Sequence, residues 1–331
     1  MVGYIIRRFL FALLVVWAIS VISFFIIQLP KGDYIDFYII ELETNGGPIG
    51  QEAAETLRMQ YGLEKPIPVQ YIRWIGQVVA GNGGYAFEYR KPAFEVIGDR
   101  IWLTLALTAT AVVFTWLLAV PIGIYSAMRQ YSVGDYLAST LGFMGLAVPP
   151  FLLALVMMYY FKAVWALPVP IGGLFAAEYA DTGWTQAKVL NMLSHLWVPA
   201  LIVAIAGTAQ LIRVLRANLL DEIRKPYVVT ARAKGMSEWG MIMKYPVRVA
   251  MNPLVSTIGY LLPTLVSGSI IVEVVMNLPT MGPLLLKALL AQDMFLAGTI
   301  VMLIGIMTVV GTFASDLLLA WIDPRIRVEQ T

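Results

Sequence analysis

Six stretches of the chain hold no Asp, Glu, Lys or Arg: Phe9–Pro30, Ile101–Met128, Tyr136–Phe161, Val189–Ile212, Val249–Val272 and Met294–Ser315. Each is 22 to 28 residues long. An α-helix rises 1.5 Å per residue, so about 20 residues cross a hydrocarbon core about 30 Å thick. The pattern predicts six transmembrane helices. The first is expected to be an anchor rather than a cleaved leader. Its apolar run exceeds the usual leader length, Arg7-Arg8 precede it, and no small-x-small site follows Phe24-Phe25-Ile26-Ile27.

Polar positions between these stretches set the orientation. With the N-terminus inside, segments 1–8, 129–135, 213–248 and 316–331 hold thirteen Lys or Arg, against three in the short opposite loops 162–188 and 273–293. Short loops rich in Lys and Arg stay in the cytosol, so both termini are expected there. Segment 31–100 is the one sizeable external region. Gln51–Tyr61 has helix-forming composition, and Val69–Val79 puts Tyr71, Ile72, Ile75, Val78 and Val79 on one face, with Gly81 as a stop. Asn82-Gly83-Gly84 reads as a turn. The region is expected to lie as helical pieces over the outer mouth of the bundle.

Composition narrows the class. Of 331 residues 59% are hydrophobic and 13% charged, about half the charge of a globular chain. A net charge of +2 gives no case for nucleic acid. With no cysteine and one histidine, disulfides, iron–sulfur clusters and thiolate metal sites are excluded. No phosphate-cradling G-x-x-x-x-G-K-[S/T], no H-E-x-x-H and no serine nucleophile elbow occurs, so no catalytic residue, cofactor site or metal site is assigned. Ion-coupled carriers keep ionisable groups within their spans. Here only His195 falls inside a charge-free stretch, where a packed or interfacial histidine is the plainer reading and a proton relay the other. Work on a solute would have to arrive from a partner.

The 36 residues from Arg213 to Arg248 carry eight Lys or Arg. Inside them, Pro226 to Gly235 reads as a short helix, with Pro at its first position and Gly just past its last. Tyr227, Thr230, Ala231 and Lys234 share a face by i, i+3, i+4, i+7 spacing. Ala231 and Ala233 allow close approach of another surface. Ser237 suits the N-cap of the next segment. Two readings stand level: a peg that docks a soluble partner, or a basic helix lying on anionic lipid.

Thr230-Ala231-Arg232-Ala233-Lys234-Gly235 resembles the coupling loop, the EAA motif, of permease subunits in type I ABC importers. Thr230 stands for the leading glutamate, as is usual in the dipeptide/oligopeptide branch. The resemblance covers nearly the whole chain. It includes Tyr4-Ile5-Ile6-Arg7-Arg8, Tyr61-Gly62-Leu63-Glu64-Lys65-Pro66 with Gln70-Tyr71, Val148-Pro149-Pro150-Phe151, and Ser194 through Ala200. Gly268-Ser269-Ile270-Ile271-Val272-Glu273 and Asp323-Pro324-Arg325-Ile326-Arg327 complete it. Thr280 stands where the family usually has glycine, and Leu319 where it often has tyrosine, so the turn after the fifth span is expected to be shaped differently.

The resemblance implies an all-α membrane protein of the type I importer permease fold. Its parts are an anchor helix (1–30), an external segment (31–100), a five-helix core (101–322) with a cytosolic coupling loop (213–248), and a cytosolic tail (323–331). It implies a multi-pass inner-membrane subunit paired with a second related permease. Two cytosolic ATPases, which hold ATP and Mg, and an external solute-binding protein complete the set. Coupling is implied for Tyr227, Thr230, Ala231, Arg232, Ala233, Lys234, Gly235 and Ser237. Glu273, Pro279 and Gly282 are candidates for the outer gate or pathway. Glu273 and Asp293, read from the residues alone, are expected as solvated helix ends. Di- or oligopeptides are the expected cargo, with oligosaccharides, metal chelates and glutathione-like compounds in the same branch. An ion-coupled carrier acting alone and a membrane scaffold are the rivals of different class.

Overall fold

The computed structural model describes residues 2–28, 59, 65–86, 88–165, 171–180, 182–255 and 269–322. Expectations for Gln51–Tyr61, the middle of the fifth stretch (256–268) and the tail 323–331 lie outside them. Four helical segments among the described residues are long and apolar enough to cross a membrane: Gly3–Phe25, Arg100–Met128, Gln186–Ile205 and Met294–Leu317. They coincide with the first, second, fourth and sixth charge-free stretches. The chain forms two compact units, Met1–Ile6 with Trp102–Pro279 and Val310–Thr331, and Arg7–Ile101 with Thr280–Val309.

The regular elements described in the larger unit are all helical. Helix α4 (Arg100–Met128) is followed by α5 (Val133–Ala147), α6 (Pro150–Tyr159), the long α7 (Gln186–Ile223), α8 (Pro226–Ala233), α9 (Glu238–Lys244), α10 (Pro246–Ala250) and α11 (Ile270–Val275). The third stretch is expected as one span, bent or kinked at Pro149-Pro150, and there it breaks into α5 and α6. Val148 and Pro149 are extended there, with ψ near 121° and 135°. Proline disfavours the helical region for the residue before it, and two prolines in a row do so twice. A π-turn at Tyr160–Val164 continues α6.

Small residues bring α4, α5 and α7 together. A Cβ on Gly123 would stand 3.0 Å from Leu215, and one on Gly145 would stand 2.9 Å from Ile205. Between apolar helices in lipid, such close approach supplies the packing that a hydrophobic drive cannot. Thr115 Oγ1 donates to the Ala204 carbonyl at 3.3 Å, adding a bond across α4 and α7. Two buried clusters result. One holds Leu107, Ala111, Ala200, Ile202, Val272 and Met276. The other holds Ala119, Leu211, Leu215, Leu219, Val228, Met241, Val247 and Leu254.

The smaller unit joins most of α1 (Val2–Gln28) to α2 (Ile67–Val79), a two-residue hairpin of β1 (Tyr85–Ala86) and β2 (Lys91–Pro92), α3 (Ala93–Ile97), α12 (Met281–Leu290) and the start of α13 (Met294–Ile322). The hairpin is a small departure from an all-α expectation. The predicted helix at Val69–Val79 is present, yet its inward face is Tyr71, Trp74, Ile75 and Val78. Ile72 and Val79 are exposed instead. Trp74 packs 5.7 Å from the Phe24 ring, and the Tyr71 hydroxyl hydrogen-bonds Ser20 at 2.8 Å. A large ring with a partner on α1 outweighed the smaller aliphatics in setting the rotation of α2. Gly81 has φ +84°, as a stop requires, and Asn82 Oδ1 accepts from the Gly84 amide, closing the expected turn.

Candidate functional site

The basic segment 213–248 folds as a compact helical hairpin at the end of α7. Helix α7 stops at Arg224, where Lys225 N–H turns back to the Glu222 carbonyl at 3.1 Å. Pro226 then opens α8, its fixed φ suited to a first helical position. Lys234 closes the helix and Gly235 follows with φ +78°. The Met236 amide donates to Ala231 O and the Gly235 amide to Arg232 O, at 3.4 and 3.0 Å. This is a Schellman stop, which needs a left-handed residue at the glycine position.

Side chains pin α8 in place. Val228 and Ala231, at 0% and 7% exposure, enter the buried cluster shared with α7, α9 and α10. Tyr227 Oη donates to Glu222 Oε2 at 2.5 Å, tying α8 to the end of α7. Partial burial first, then the hydrogen bond and charge of Glu222, push the Tyr227 phenol up to about 12. Arg232 meets Glu238 through two bonds, Nη2 to Oε1 at 2.6 Å and Nε to Oε2 at 3.1 Å. That exposed fork joins α8 to α9. Through the hydrogen bonds first and then the charges, it raises Arg232 and lowers Glu238 from their ordinary values.

The residues expected to couple are therefore placed together, but not all facing outward. Tyr227, Thr230, Arg232, Ala233, Lys234, Gly235 and Ser237 are exposed, whereas Ala231 packs against its own chain. Thr230 Oγ1 returns to the Pro226 carbonyl at 3.1 Å. Ser237 holds the N-cap position of α9 in extended backbone, though its side chain makes no capping bond. Val229 and Trp239, 56% and 59% exposed, add apolar area to the same hairpin.

A buried charged cluster next to this hairpin was not expected. Asp135 begins α5 with its side chain 4% exposed, and it accepts from Arg216 Nη2 of α7 at 3.0 Å. Ser126 of α4 donates to its other oxygen, and the Tyr131 amide donates at 2.9 Å. Burial pushes the carboxyl upward, but the bonds from Ser126, Arg216 and Tyr131 and the Arg216 charge outweigh it and hold it below the ordinary value. The local signal was legible: Ser132-x-x-Asp135 is a capping-box spacing, and Asp135 N–H does donate to Ser132 Oγ at 3.2 Å. The partner 81 residues away was not.

Candidates for the outer gate fall in two units. Glu273 on α11 is 1% exposed and accepts from Ser269 Oγ, so the expectation of a solvated helix end is corrected. Pro279 follows in the same unit, partly buried, and Gly282 is buried in α12 of the other. Thr280 sits at φ −112°, ψ 177°, ordinary extended backbone that has no need of glycine. The turn uses Asn277 instead, at φ +52°. Asp293 is likewise buried, at 0%, capping α13 through Leu296 N–H at 3.2 Å and holding Glu88 N–H at 3.1 Å. His195 is a packed histidine, its Nδ1 2.8 Å from the Asn191 carbonyl. Among the described residues no group of three or more His, Cys, Asp or Glu could hold a metal.

Residues 119–328 match the family described as binding-protein-dependent transport system inner membrane component, and residues 1–108 match the N-terminal family of the same membrane components. A Brucella ovis protein named as a peptide permease is 36% identical over 331 residues, 99% of this chain and 100% of its own length. The oligopeptide transport system permease protein of Bacillus subtilis is 32% identical, covering 98% of this chain and 99% of its own. The glutathione transport system permease protein of Salmonella typhimurium is 29% identical, covering 99% of each chain. With both family matches and full-length similarity in hand, this multi-pass chain belongs to the inner-membrane permease components of binding-protein-dependent transport systems.

Proposed function

We propose that this chain is one half of the translocation pathway of an ATP-driven importer of di- or oligopeptides, moved from the cytosol through α8. The observation that carries the reading is a short helix ended at both sides by Pro226 and Gly235 and anchored by Val228 and Ala231. Its outer face, Tyr227, Thr230, Ala233 and Lys234, stays open. A peg fixed to its own core can transmit a push without bending. The same reading gives six spans with both termini in the cytosol, segment 31–100 toward an external binding protein, and a second related permease as partner. Two cytosolic ATPases supply ATP hydrolysis, with Mg, and this chain is non-catalytic. Peptide cargo rests on the names of two of the relatives, and a third is named for glutathione.

Ala233→Glu tests the peg without disturbing the core, because Ala233 is exposed where Ala231 is not. Nucleotide-dependent uptake into vesicles should fall at least tenfold while membrane insertion is unchanged. Full uptake in that variant, or ion-gradient-driven uptake by this chain alone in liposomes, would overturn the reading in favour of a self-sufficient carrier.

A further inference from the structure

We propose that a basic recess beside α8 binds the phosphate headgroup of an anionic membrane lipid. The recess holds about 410 Å³ and is lined by Tyr227, Lys244, Tyr245, Arg248 and Val249. Lys244 ends α9, Tyr245 is the turn into α10, and Arg248 lies within α10. Among the described residues no ion pair engages Lys244 or Arg248. Two cations thus face one cavity with no carboxylate on them. Lys244 Nζ stands 5.4 Å from the Tyr245 ring centroid, a contact that holds the ammonium at the rim.

The chemistry of the lining selects the ligand. Arg presents a planar fork that matches phosphate oxygens, and Lys adds a point charge. The Tyr245 hydroxyl supplies a further donor. Tyr227 is committed to Glu222, so it contributes its ring as a wall and keeps that carboxylate behind the lining. Val249, the remaining wall, opens the charge-free stretch Val249–Val272. Lys, Arg and Tyr gathered where an apolar run begins is the pattern of headgroup depth. A ligand with a phosphate at one end and acyl chains at the other satisfies both the cations and the apolar wall. A free phosphate satisfies only the cations. Lipid at this recess requires only a membrane-embedded chain, whatever drives transport.

The full chain, purified with its co-expressed partner subunits, is titrated with phosphatidylglycerol, phosphatidylcholine or inorganic phosphate and read by native mass spectrometry. The wild type should retain phosphatidylglycerol in preference to phosphatidylcholine. Lys244→Gln with Arg248→Gln should weaken that lipid about tenfold or more, since each cation near the headgroups is worth about 1 kcal/mol. Arg248→Lys should fall between, keeping charge but not the fork. Phosphatidylglycerol binding unchanged in the double variant overturns the proposal. Inorganic phosphate bound as tightly as the lipid makes the site one for a soluble anion and overturns the lipid source. Loss of a copurifying ATPase with lipid binding intact makes the recess a protein contact and also overturns it.

Discussion

Asp135 accepts from Ser126, Arg216 and the Tyr131 amide in a site nearly closed to water. Asp135→Asn leaves the Arg216 guanidinium, 30% exposed, without its counter-charge. Removing one partner of a buried pair costs more than the pair contributes, because the survivor keeps its desolvation penalty. With Arg216 partly reached by water, the loss should be about 2 kcal/mol, below the 3–5 kcal/mol of a fully buried pair. It would appear as a lower Tm in detergent. The pH dependence has a fixed sign. A carboxyl held below its ordinary 3.8 in the folded chain contributes stability that is complete above that value. The contribution drains away as pH falls below 3.8 through the folded value. The wild type should therefore lose Tm below about pH 4, where the Asn variant changes less. Lys188 is another buried charge to test. It is 5% exposed, donates to the Thr182 and Ala180 carbonyls at 2.6 and 3.4 Å, and lies 4.8 Å from the Phe175 ring. Lys188→Met keeps the stem and strips those bonds. Limited proteolysis around residues 177–184 should then speed several-fold, consistent with about 1–2 kcal/mol lost locally.

At the scale of the element, α8 shows what short-range sequence fixes and what it does not. Its ends were legible because Pro and Gly act on their own backbone: Pro226 opens the helix and Gly235 closes it as expected. Which face points inward was not, since that depends on Met241, Val247 and Leu215 reaching it from other helices. A Cβ on Gly235 meets nothing within 4 Å, so its only cost is the left-handed backbone. Gly235→Ala should therefore cost about 1 kcal/mol, and Gly235→Asn clearly less. Chemical denaturation of the two variants side by side separates backbone strain from crowding. A reversed order would mean that something other than φ is being measured. The same logic explains the α5–α6 break, which Pro149-Pro150 announce locally, and the rotation of α2, which Phe24 decides from a distance.

Across the whole molecule, four of the six charge-free stretches coincide with helices long and apolar enough to span, because lipid permits few alternatives. A spanning segment must satisfy its own backbone, so length and apolarity nearly suffice to name it. Acidic residues misled the reading for the converse reason. Asp293 looks like a solvated loop end until the Glu88 amide, 205 residues away in sequence, is placed on its carboxylate. Glu273 was misread in the same way, its Ser269 partner one helical turn back. Orientation across the membrane rests on a count of Lys and Arg, and Lys188, one of the cations counted outside, is bound up in loop carbonyls. The chain contains no cysteine, which makes a direct test clean. Ser237→Cys and Gly183→Cys each add one thiol at an exposed position, and Gly183 has open space around it. In intact cells a membrane-impermeant maleimide should label the Gly183 variant through the outer face. It should reach the Ser237 variant only after the cytoplasmic membrane is opened. Labelling of both thiols without permeabilisation would mean that the α8 hairpin is not in the cytosol. No ATPase could then reach Tyr227, Thr230 or Lys234, and the drive would have to come from elsewhere.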